Sequence, residues 1–372
     1  MDKDTMTVIG CDLGDRSSHL CLLAPEGSVL RRAKIATTQK AFDKFLSGLE
    51  RSLVVLEVGT HSRWSSALIR ELGHACVVAN PRHVRLIYGG THKNNRLDAE
   101  ALARLGRLDP TLLRPVEHRS QEAQTQLSTL KAHDALVRSR TRLIASVRGI
   151  AKSAGVRLLS CDADYFTRKV TLPPALQPAL GAMLQNIEEP TEHIKHYDNQ
   201  IAQLCAQHPE TQVFQQVHGV GPITALRYAL TLERPERFSR SRDAAAFVGL
   251  VPKQRQSWRH DPQLGITKAG DRFSRRLLVQ CAHCILGARG QDSDLRRFGL
   301  RLAAQGGKRA KKLAVLLHRL WVSGDLYEPL RLTPQVLPAT FAGRAVRSVL
   351  VSRRPAPRYY SLMICVQRPM RD

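Results

Sequence analysis

The sequence predicts a fold of class α/β plus α: an N-terminal α/β domain followed by mainly helical regions. Short apolar runs rich in β-branched residues alternate with amphipathic stretches in the first third of the chain, and long helical patterns with charged faces replace them from about His118. The 372 residues suggest two or three domains, and a hydrophobic content of 43% suffices for packed cores. We divide the chain into residues 1–117, 118–208, 209–330 and a basic tail, 331–372.

Five strands and four helices are expected in the first region. The strand-like runs are MTVIGCDLG, SSHLCLLAP, SVLRRAKIA, LVVLEV and HACVVAN, and Glu26-Gly27 forms a hairpin turn between the second and third. The helical stretches are QKAFDKFLSGLE, HSRWSSALIRELG, PRHVRLIYG and LDAEALARLGRL. Three strands in a meander, followed by helix, strand, helix, strand and helix, are the order of a ribonuclease-H-like fold.

The later regions are expected to be helical. Residues 118–208 contain two long helical patterns separated by the break Leu172-Pro173-Pro174, which predicts two antiparallel helices and, with their apolar stripe, a coiled-coil linker. Residues 209–330 contain further helical segments joined by glycine-containing turns.

The charge balance predicts a polyanionic partner. Lys and Arg number 57 against 32 Asp and Glu, a formal net charge of +25, and nucleic acid is the default partner of so basic a chain. The eight cysteines are scattered, mostly in apolar segments, and no apolar run reaches the length of a membrane span. These features predict a cytoplasmic protein.

Acidic residues follow two of the predicted strands. Asp12 ends the first strand, Glu57 ends the fourth, and Asp98 begins the helix expected to pack beside them. In a ribonuclease-H-like sheet the first and fourth strands are adjacent, so these carboxylates would share one edge. Carboxylate oxygens are the ligands Mg²⁺ prefers, and two ions can be held around a phosphate. Each acid alone has an ordinary alternative, such as a strand-end cap or a charge favoured by the helix dipole.

Two motifs in the third region suggest contact with DNA. QVHGVGPITALRYAL has the spacing of a helix-hairpin-helix, in which Gly219 and Gly221 would let backbone N–H groups approach a phosphate; a plain helical corner is the alternative. Ser257 stands in a basic, glycine-punctuated loop. A serine can attack a phosphodiester where cations hold the developing charge. The basic residues expected to contact nucleic acid are Lys93, Arg96, Lys268, Arg272, Arg275 and Arg276.

Taken together, these motifs resemble the insertion-sequence-110 family of transposases, Piv-like recombinases with a RuvC-like domain. The resemblance extends over about Val8 to Leu330 and rests on VIGCDLG, VVLEVGTHSRW, VVANPRHVRLI, KNNRLDAEALARLGRLDP, VHGVGPITA, FVGLVPKQRQS and LGITKAGDRFSRRLL. It implies an N-terminal DEDD domain that binds Mg²⁺, a helical linker and a C-terminal transposase domain. It further implies a serine nucleophile that forms a phosphoserine link to DNA, a homo-oligomer, and a structured bridge RNA that pairs with donor and target DNA.

The resemblance assigns roles to individual residues. Asp12, Glu57 and Asp98 match the first, second and fourth acids of the DEDD set, and Ser257 matches the nucleophile. The third acid is replaced by Asn95, which keeps a carbonyl oxygen but loses the charge, and Trp258 stands where glycine usually follows the serine. Two alternatives therefore stay open: a catalytically impaired DNA- and RNA-binding relative, and a metal-only RuvC-type nuclease.

Overall fold

The chain folds into two compact units, Met1–Arg119 and Ser120–Asp372, in a computed structural model that describes residues 6–87, 95–255, 264–304 and 310–331. The division lies two residues beyond the boundary predicted at residue 117. The predicted boundaries at residues 208 and 330 fall inside the second unit and stay predictions. The predicted tail, residues 331–372, lies outside the described residues except for its first member, Arg331.

The first unit is a mixed α/β domain. Its strands are β1 (Val8–Asp12), β2 (Ser17–Leu23), β3 (Val29–Ala36), β4 (Leu53–Glu57) and β5 (Ala75–Ala79), and its helices are α1 (Gln39–Leu46), α2 (Ser62–Glu71), α3 (Pro81–Ile87) and α4 (Asn95–Leu108). The sheet order is β3-β2-β1-β4-β5. β2 runs antiparallel to both of its neighbours, whereas β1, β4 and β5 are parallel. The predicted meander and the predicted adjacency of the first and fourth strands are confirmed.

Helices cover both faces of this sheet. On one face, Phe42 and Leu46 of α1 and Ile69 of α2 pack against Ile9 and Cys11 of β1, together with other strand residues. On the opposite face α4 contributes its own apolar side chains to a second core, which includes alternate residues of β1 and β4. Because successive side chains of a strand point to opposite faces, each strand residue can be assigned to one of these two cores.

The second unit is helical in nearly all of its regular structure. Its helices are α5 (Gln121–Ser153), α6 (Phe166–Lys169), α7 (Gln177–Gln207), α8 (Glu210–Gln215), α9 (Pro222–Leu232), α10 (Ser241–Phe247), α11 (Arg272–Leu286), α12 (Asp294–Ala304) and α13 (Ala310–Ser323). An isolated antiparallel bridge joins Pro252 to Ile266. A predominantly helical remainder of the chain, as predicted, is confirmed.

The long helices α5 and α7 pack against each other along their lengths in antiparallel orientation. The start of α5 shares a core with the end of α7, and the end of α5 shares another core with the start of α7. Buried apolar residues are spaced by seven or fourteen on α5 (Ala123, Leu130, Ile144 and Ala151) and by seven on α7 (Leu180, Ile187, Ile194 and Ile201).

Polar residues recur at the same interval and lie between the apolar layers of this helix pair. His133 Nε2 is 3.0 Å from Asp198 Oδ1, and Arg140 Nη1 donates to Thr191 Oγ1 at 3.4 Å. Arg140 also pairs with Asp164 at 2.7 Å. Such buried polar layers favour one register of the two helices because a shifted register would leave these groups without partners.

A larger core joins α8, α9, α10, α11 and α13. At its centre the fully buried Tyr228 donates its hydroxyl hydrogen to the carbonyl oxygen of Ala314 at 2.6 Å. Burial raises the pKa of Tyr228 well above its usual range, so this phenol stays protonated and keeps donating. Among the residues that the structure describes, no helix is both long and apolar enough to cross a membrane.

Candidate active site

Two acidic residues lie side by side at one edge of the sheet. β1 and β4 pair in parallel with Cys11 opposite Leu56, so the next residues along both strands, Asp12 and Glu57, occupy neighbouring positions at the carboxyl ends. Both residues are half-buried. The sequence placed these acids at strand ends, and the parallel register brings the two ends together.

Asp12 and Glu57 also point to the same face of the sheet. Val8 and Val55 belong to the core formed with α4, whereas Ile9 and Cys11 belong to the opposite core. Since side chains alternate along a strand, Asp12 has the direction of Val8 and Glu57 has the direction of Val55. Both carboxylates therefore project toward the layer that contains α4.

The direction of α4 brings its first turn to the same end. A Cβ added at Gly10 would lie 1.9 Å from the carbonyl oxygen of Ala99, and a Cβ added at Gly106 would lie 2.4 Å from Val55 Cγ2 and 3.6 Å from Val8 Cγ1. The helix thus runs antiparallel to β1, with its later residues over the start of the strand. Its first turn, which contains the half-buried Asp98, extends toward the end that carries Asp12.

The absence of a side chain at Gly10 is what allows this close approach, and it gives a testable prediction. Gly10→Ala should lower the free energy of unfolding of the first unit by about 3 kcal/mol, the upper part of the usual range for overpacking, because the obstructing atoms are helix backbone. Gly48→Ala is the matched control, since a Cβ there meets nothing within 4 Å. Denaturant unfolding measures both, and equal effects would contradict the close approach as described.

The ligand set predicted from the resemblance is only partly visible. Asn95 and Arg96 belong to α4, but their side chains, like all of Lys93, lie outside the described residues. Within the described part of the chain no group of three or more His, Cys, Asp or Glu side chains is placed to hold a metal ion. The structure brings Asp12 and Glu57 together and directs the first turn of α4 toward them; a complete set of converging ligands stays a prediction.

A histidine that sequence analysis did not single out lies near the same end of the sheet. His61 follows Glu57 by four residues; its Nδ1 accepts a hydrogen bond from Trp64 Nε1 at 3.1 Å, and its Nε2 lies 3.5 Å from Asp15 Oδ1. Because Nδ1 is an acceptor, the proton of the neutral ring is on Nε2, toward Asp15. Its position in the segment directly after Glu57 was the available signal in the sequence.

Burial and charge act together on the neighbouring Cys11. Its pKa is raised well above the usual range, first by burial and then by the negative charge of Asp12. The thiol therefore stays protonated and serves as a small apolar side chain beneath the carboxylate edge.

The pKa of His118 is lowered, mainly by burial and then by the positive charges of Arg63, Arg70 and Arg119. Neutral His118 lies 3.1 Å from Ser62 Oγ at the start of α2.

The predicted phosphate-binding glycines of the second unit occupy a turn between α8 and α9. Gly219 has a φ of +85° and packs closely on α11, where an added Cβ would lie 3.2 Å from Cys284 Cβ and 3.3 Å from the carbonyl oxygen of Cys281. Gly221 is exposed, and a Cβ there would meet nothing within 4 Å. The first glycine is thus required by packing, and the second leaves the start of α9 open.

The predicted nucleophile Ser257 lies outside the described residues, and so does Trp258. Two of the basic residues that follow, Lys268 and Arg272, are exposed. The other two have partners within the protein. Arg275 Nη1 donates to the carbonyl oxygens of Val248 at 3.0 Å and Ala269 at 2.9 Å, and Arg276 pairs with Asp134 of α5.

Comparison with known proteins connects both regions to one family. One protein-family model, described as a transposase and built for the DEDD transposases of IS110, matches residues 9–154. A second, described as the transposase IS116/IS110/IS902 family, matches residues 211–297. The chain belongs to the IS110 family of transposases. The resemblance read from the motifs is confirmed. In this IS110-family chain the first match contains Asp12, Glu57 and Asp98, and the second contains Ser257.

Relatives of this IS110-family chain are transposases of insertion sequences. The transposase of IS1328 from Yersinia enterocolitica is 28% identical over 331 residues, covering 86% of this chain and 90% of that protein. The transposase of IS1111A from Coxiella burnetii is 27% identical over 288 residues, covering 75% and 78%. Among solved structures, Thermus thermophilus RuvC matches 28% of this chain and 97% of its own, with a TM-score of 0.22 and 17% identity.

Proposed function

We propose that this IS110-family chain is a DNA recombinase that uses the carboxylate edge of its first unit and Ser257 of its second unit to exchange DNA strands. The observation that carries the proposal is the parallel register of β1 and β4, which places Asp12 and Glu57 side by side on the face toward α4. Two adjacent, half-buried carboxylates offer hard oxygen ligands to one divalent cation. The strand residues directly before them, Cys11 and Leu56, are apolar and buried.

The residues at this edge fit a divalent cation such as Mg²⁺, and the DEDD pattern suggests two ions. Asp12 and Glu57 offer hard oxygen ligands, Asp98 adds a carboxylate on the helix that runs toward them, and Asn95 offers a carbonyl oxygen without charge. A bound divalent ion supplies polarisation of a phosphoryl oxygen and stabilisation of the developing negative charge. The apolar strand residues beneath the edge exclude water on the protein side.

The proposed reaction at Ser257 is a transesterification. The serine Oγ loses its proton and bonds to phosphorus, the bond between phosphorus and the deoxyribose oxygen breaks, and that oxygen takes up a proton. The energy of the broken ester is retained in the phosphoserine link, so the strand can be rejoined to another end. Lys268 and Arg272 follow Ser257 by eleven and fifteen residues, and both side chains are exposed. They are suited to hold the phosphate.

The proposed partners are donor and target DNA, a structured guide RNA, and further copies of the same chain. The net charge of +25 supports polyanion binding, which should weaken steeply as salt is raised. We also propose that α5 and α7 form an antiparallel coiled coil and that α8, the glycine turn and α9 act as a helix-hairpin-helix. The spacing of seven and the exposed Gly221 support these two assignments.

Asn95 favours a second candidate function, that of an impaired relative that binds nucleic acid without exchanging strands. An asparagine in place of the third acid removes one negative charge from the proposed site and weakens cation binding. The metal-only nuclease is the less favoured alternative, because the family match includes the segment that carries Ser257.

A strand-exchange assay on the purified chain, with RNA transcribed from the DNA flanking its gene, tests the proposal. We expect Mg²⁺-dependent exchange that EDTA abolishes, and a rate about tenfold higher in Asn95→Asp because the added charge tightens cation binding. Asn94→Asp is the matched control, since it adds the same charge one residue away. If neither the unmodified chain nor Asn95→Asp exchanges strands, the impaired relative is favoured. Equal rates in the unmodified chain and Asn95→Asp would show that position 95 need not be acidic.

A further inference from the structure

The segment that contains Ser257 is attached to the second unit through a paired stem. Lys253 N donates to the carbonyl oxygen of Gly265 at 2.9 Å, Thr267 N donates to that of Val251 at 2.9 Å, and Lys268 N donates to that of Gly249 at 3.2 Å. With the antiparallel bridge between Pro252 and Ile266, these bonds define a two-stranded stem, residues 249–253 and 265–268. Ser257 lies in sequence between the two strands.

Two glycines lie at the base of this stem, each packed against the backbone of the opposite segment. A Cβ added at Gly249 would lie 2.1 Å from the carbonyl oxygen of Ala269, and a Cβ added at Gly270 would lie 1.9 Å from that of Phe247. Both residues have positive φ, +74° and +73°. The backbones that enter and leave the stem are therefore in close contact, and a side chain at either glycine would clash with the opposite backbone.

Arg275 joins the same two backbones from α11. Its Nη1 donates to the carbonyl oxygen of Val248, directly before the first strand, and to that of Ala269, directly after the second. One guanidinium thus holds both ends of the stem at hydrogen-bonding distance. Because both bonds are charge-assisted, they are stronger than ordinary backbone pairing.

The helix that carries Arg275 is itself fixed at its start. Asp271 caps α11 by accepting from Ser274 N at 2.6 Å, and its other oxygen pairs with Arg227 Nη2 of α9 at 2.6 Å. Arg227 is 1% exposed. Burial by itself would raise the pKa of Asp271, but the charge of Arg227 and hydrogen bonds from Ser274 and Arg227 lower it. Asp271 is therefore ionised at neutral pH, and its bonds to Ser274 and Arg227 anchor the start of the helix that carries Arg275.

We propose that Arg275 is a positioning residue that holds the base of the stem together, and that the reaction of Ser257, which lies in sequence between the two strands, depends on an intact stem. The inference rests on the proposed function of Ser257, and it replaces the role of nucleic-acid ligand expected for Arg275 from its sequence. Its guanidinium acts on backbone carbonyl groups, and the serine segment depends on it through the stem.

The experiment compares Arg275→Met and Arg275→Lys with Arg272→Met in the full chain, with the cognate RNA and a DNA substrate. In Arg275→Met we expect the amides of Lys253, Thr267 and Lys268 to exchange about tenfold faster with deuterium. Covalent adduct formation at saturating DNA should fall by about 100-fold, with the Kd for DNA unchanged. Arg275→Lys retains a donor and should restore part of both. Arg272→Met should leave stem exchange unchanged and weaken DNA binding.

Two results would overturn the proposal. The first is an Arg275→Met protein with wild-type amide exchange and a wild-type adduct rate; the second is a raised Kd with an unchanged rate at saturation, which is the behaviour of a DNA ligand. Ser257→Ala separates the inference from the function beneath it. If adducts persist in that variant, the role of Ser257 fails, while amide exchange still reports whether Arg275 closes the stem. A thermal melt shows whether each variant is folded. If Arg275→Met is unfolded, amide exchange and adduct formation in Arg275→Lys test the proposal.

Discussion

Ser257→Ala is expected to abolish the covalent link between the protein and DNA, with loss of strand exchange by about 10⁴-fold or more. Alanine has no hydroxyl, so no phosphoserine can form, and water cannot substitute because hydrolysis would lose the ester energy needed for rejoining. The adduct is measured with labelled DNA. DNA that is not linked to protein is digested with a nuclease, and the labelled protein band is detected by denaturing electrophoresis.

Ser239→Ala is the matched control for this prediction. Ser239 is an exposed serine of the same unit, eighteen residues earlier in the chain, and its removal should leave adduct formation unchanged. Adducts of normal yield in Ser257→Ala would show that another residue is the nucleophile. DNA cleaved without any adduct in the unmodified chain would instead support the metal-only nuclease.

Asp12→Asn should have the second largest effect, a large loss of activity with little change in stability. Strand exchange should fall by about 10²- to 10³-fold, because the variant removes one of two adjacent charges that hold the cation. The free energy of unfolding without metal should change by less than about 1 kcal/mol, since asparagine keeps the size of the side chain and relieves repulsion between like charges on neighbouring strands. Glu50→Gln, on an exposed loop, should change neither quantity. A strong loss of stability in Asp12→Asn would indicate a structural role.

The first unit was largely predictable because its signals are local. The five apolar runs correspond to the five strands, and the element order predicted a ribonuclease-H-like sheet in which the first and fourth strands are adjacent. Asp12 and Glu57 were placed at strand ends by the same runs. Their common direction toward α4 needed the register of β1 against β4 and the close approach at Gly10, which depend on packing between elements.

The partners of the basic residues in the second unit could not be predicted from the sequence. Four basic residues within nine positions, Lys268, Arg272, Arg275 and Arg276, suggested one nucleic-acid surface. Arg276 pairs with Asp134, 142 residues earlier in the chain, and Arg275 donates to two carbonyl oxygens, while contact of Arg276 with nucleic acid stays a prediction. No local pattern separates an arginine whose partner is distant from one that faces solvent, because the partner is set by the tertiary packing of the helices. The apolar stripe of α5, by contrast, is a local pattern, and the coiled-coil linker was predicted from it.

The most direct measurement of the central claim is the affinity of the chain for Mn²⁺, followed by electron paramagnetic resonance without nucleic acid. The account predicts saturable binding that weakens by about tenfold or more in the double variant Asp12→Asn, Glu57→Gln, tightens in Asn95→Asp, and is unchanged in Glu50→Gln. Binding of equal affinity in the double variant and the unmodified chain would contradict a cation site at the ends of β1 and β4.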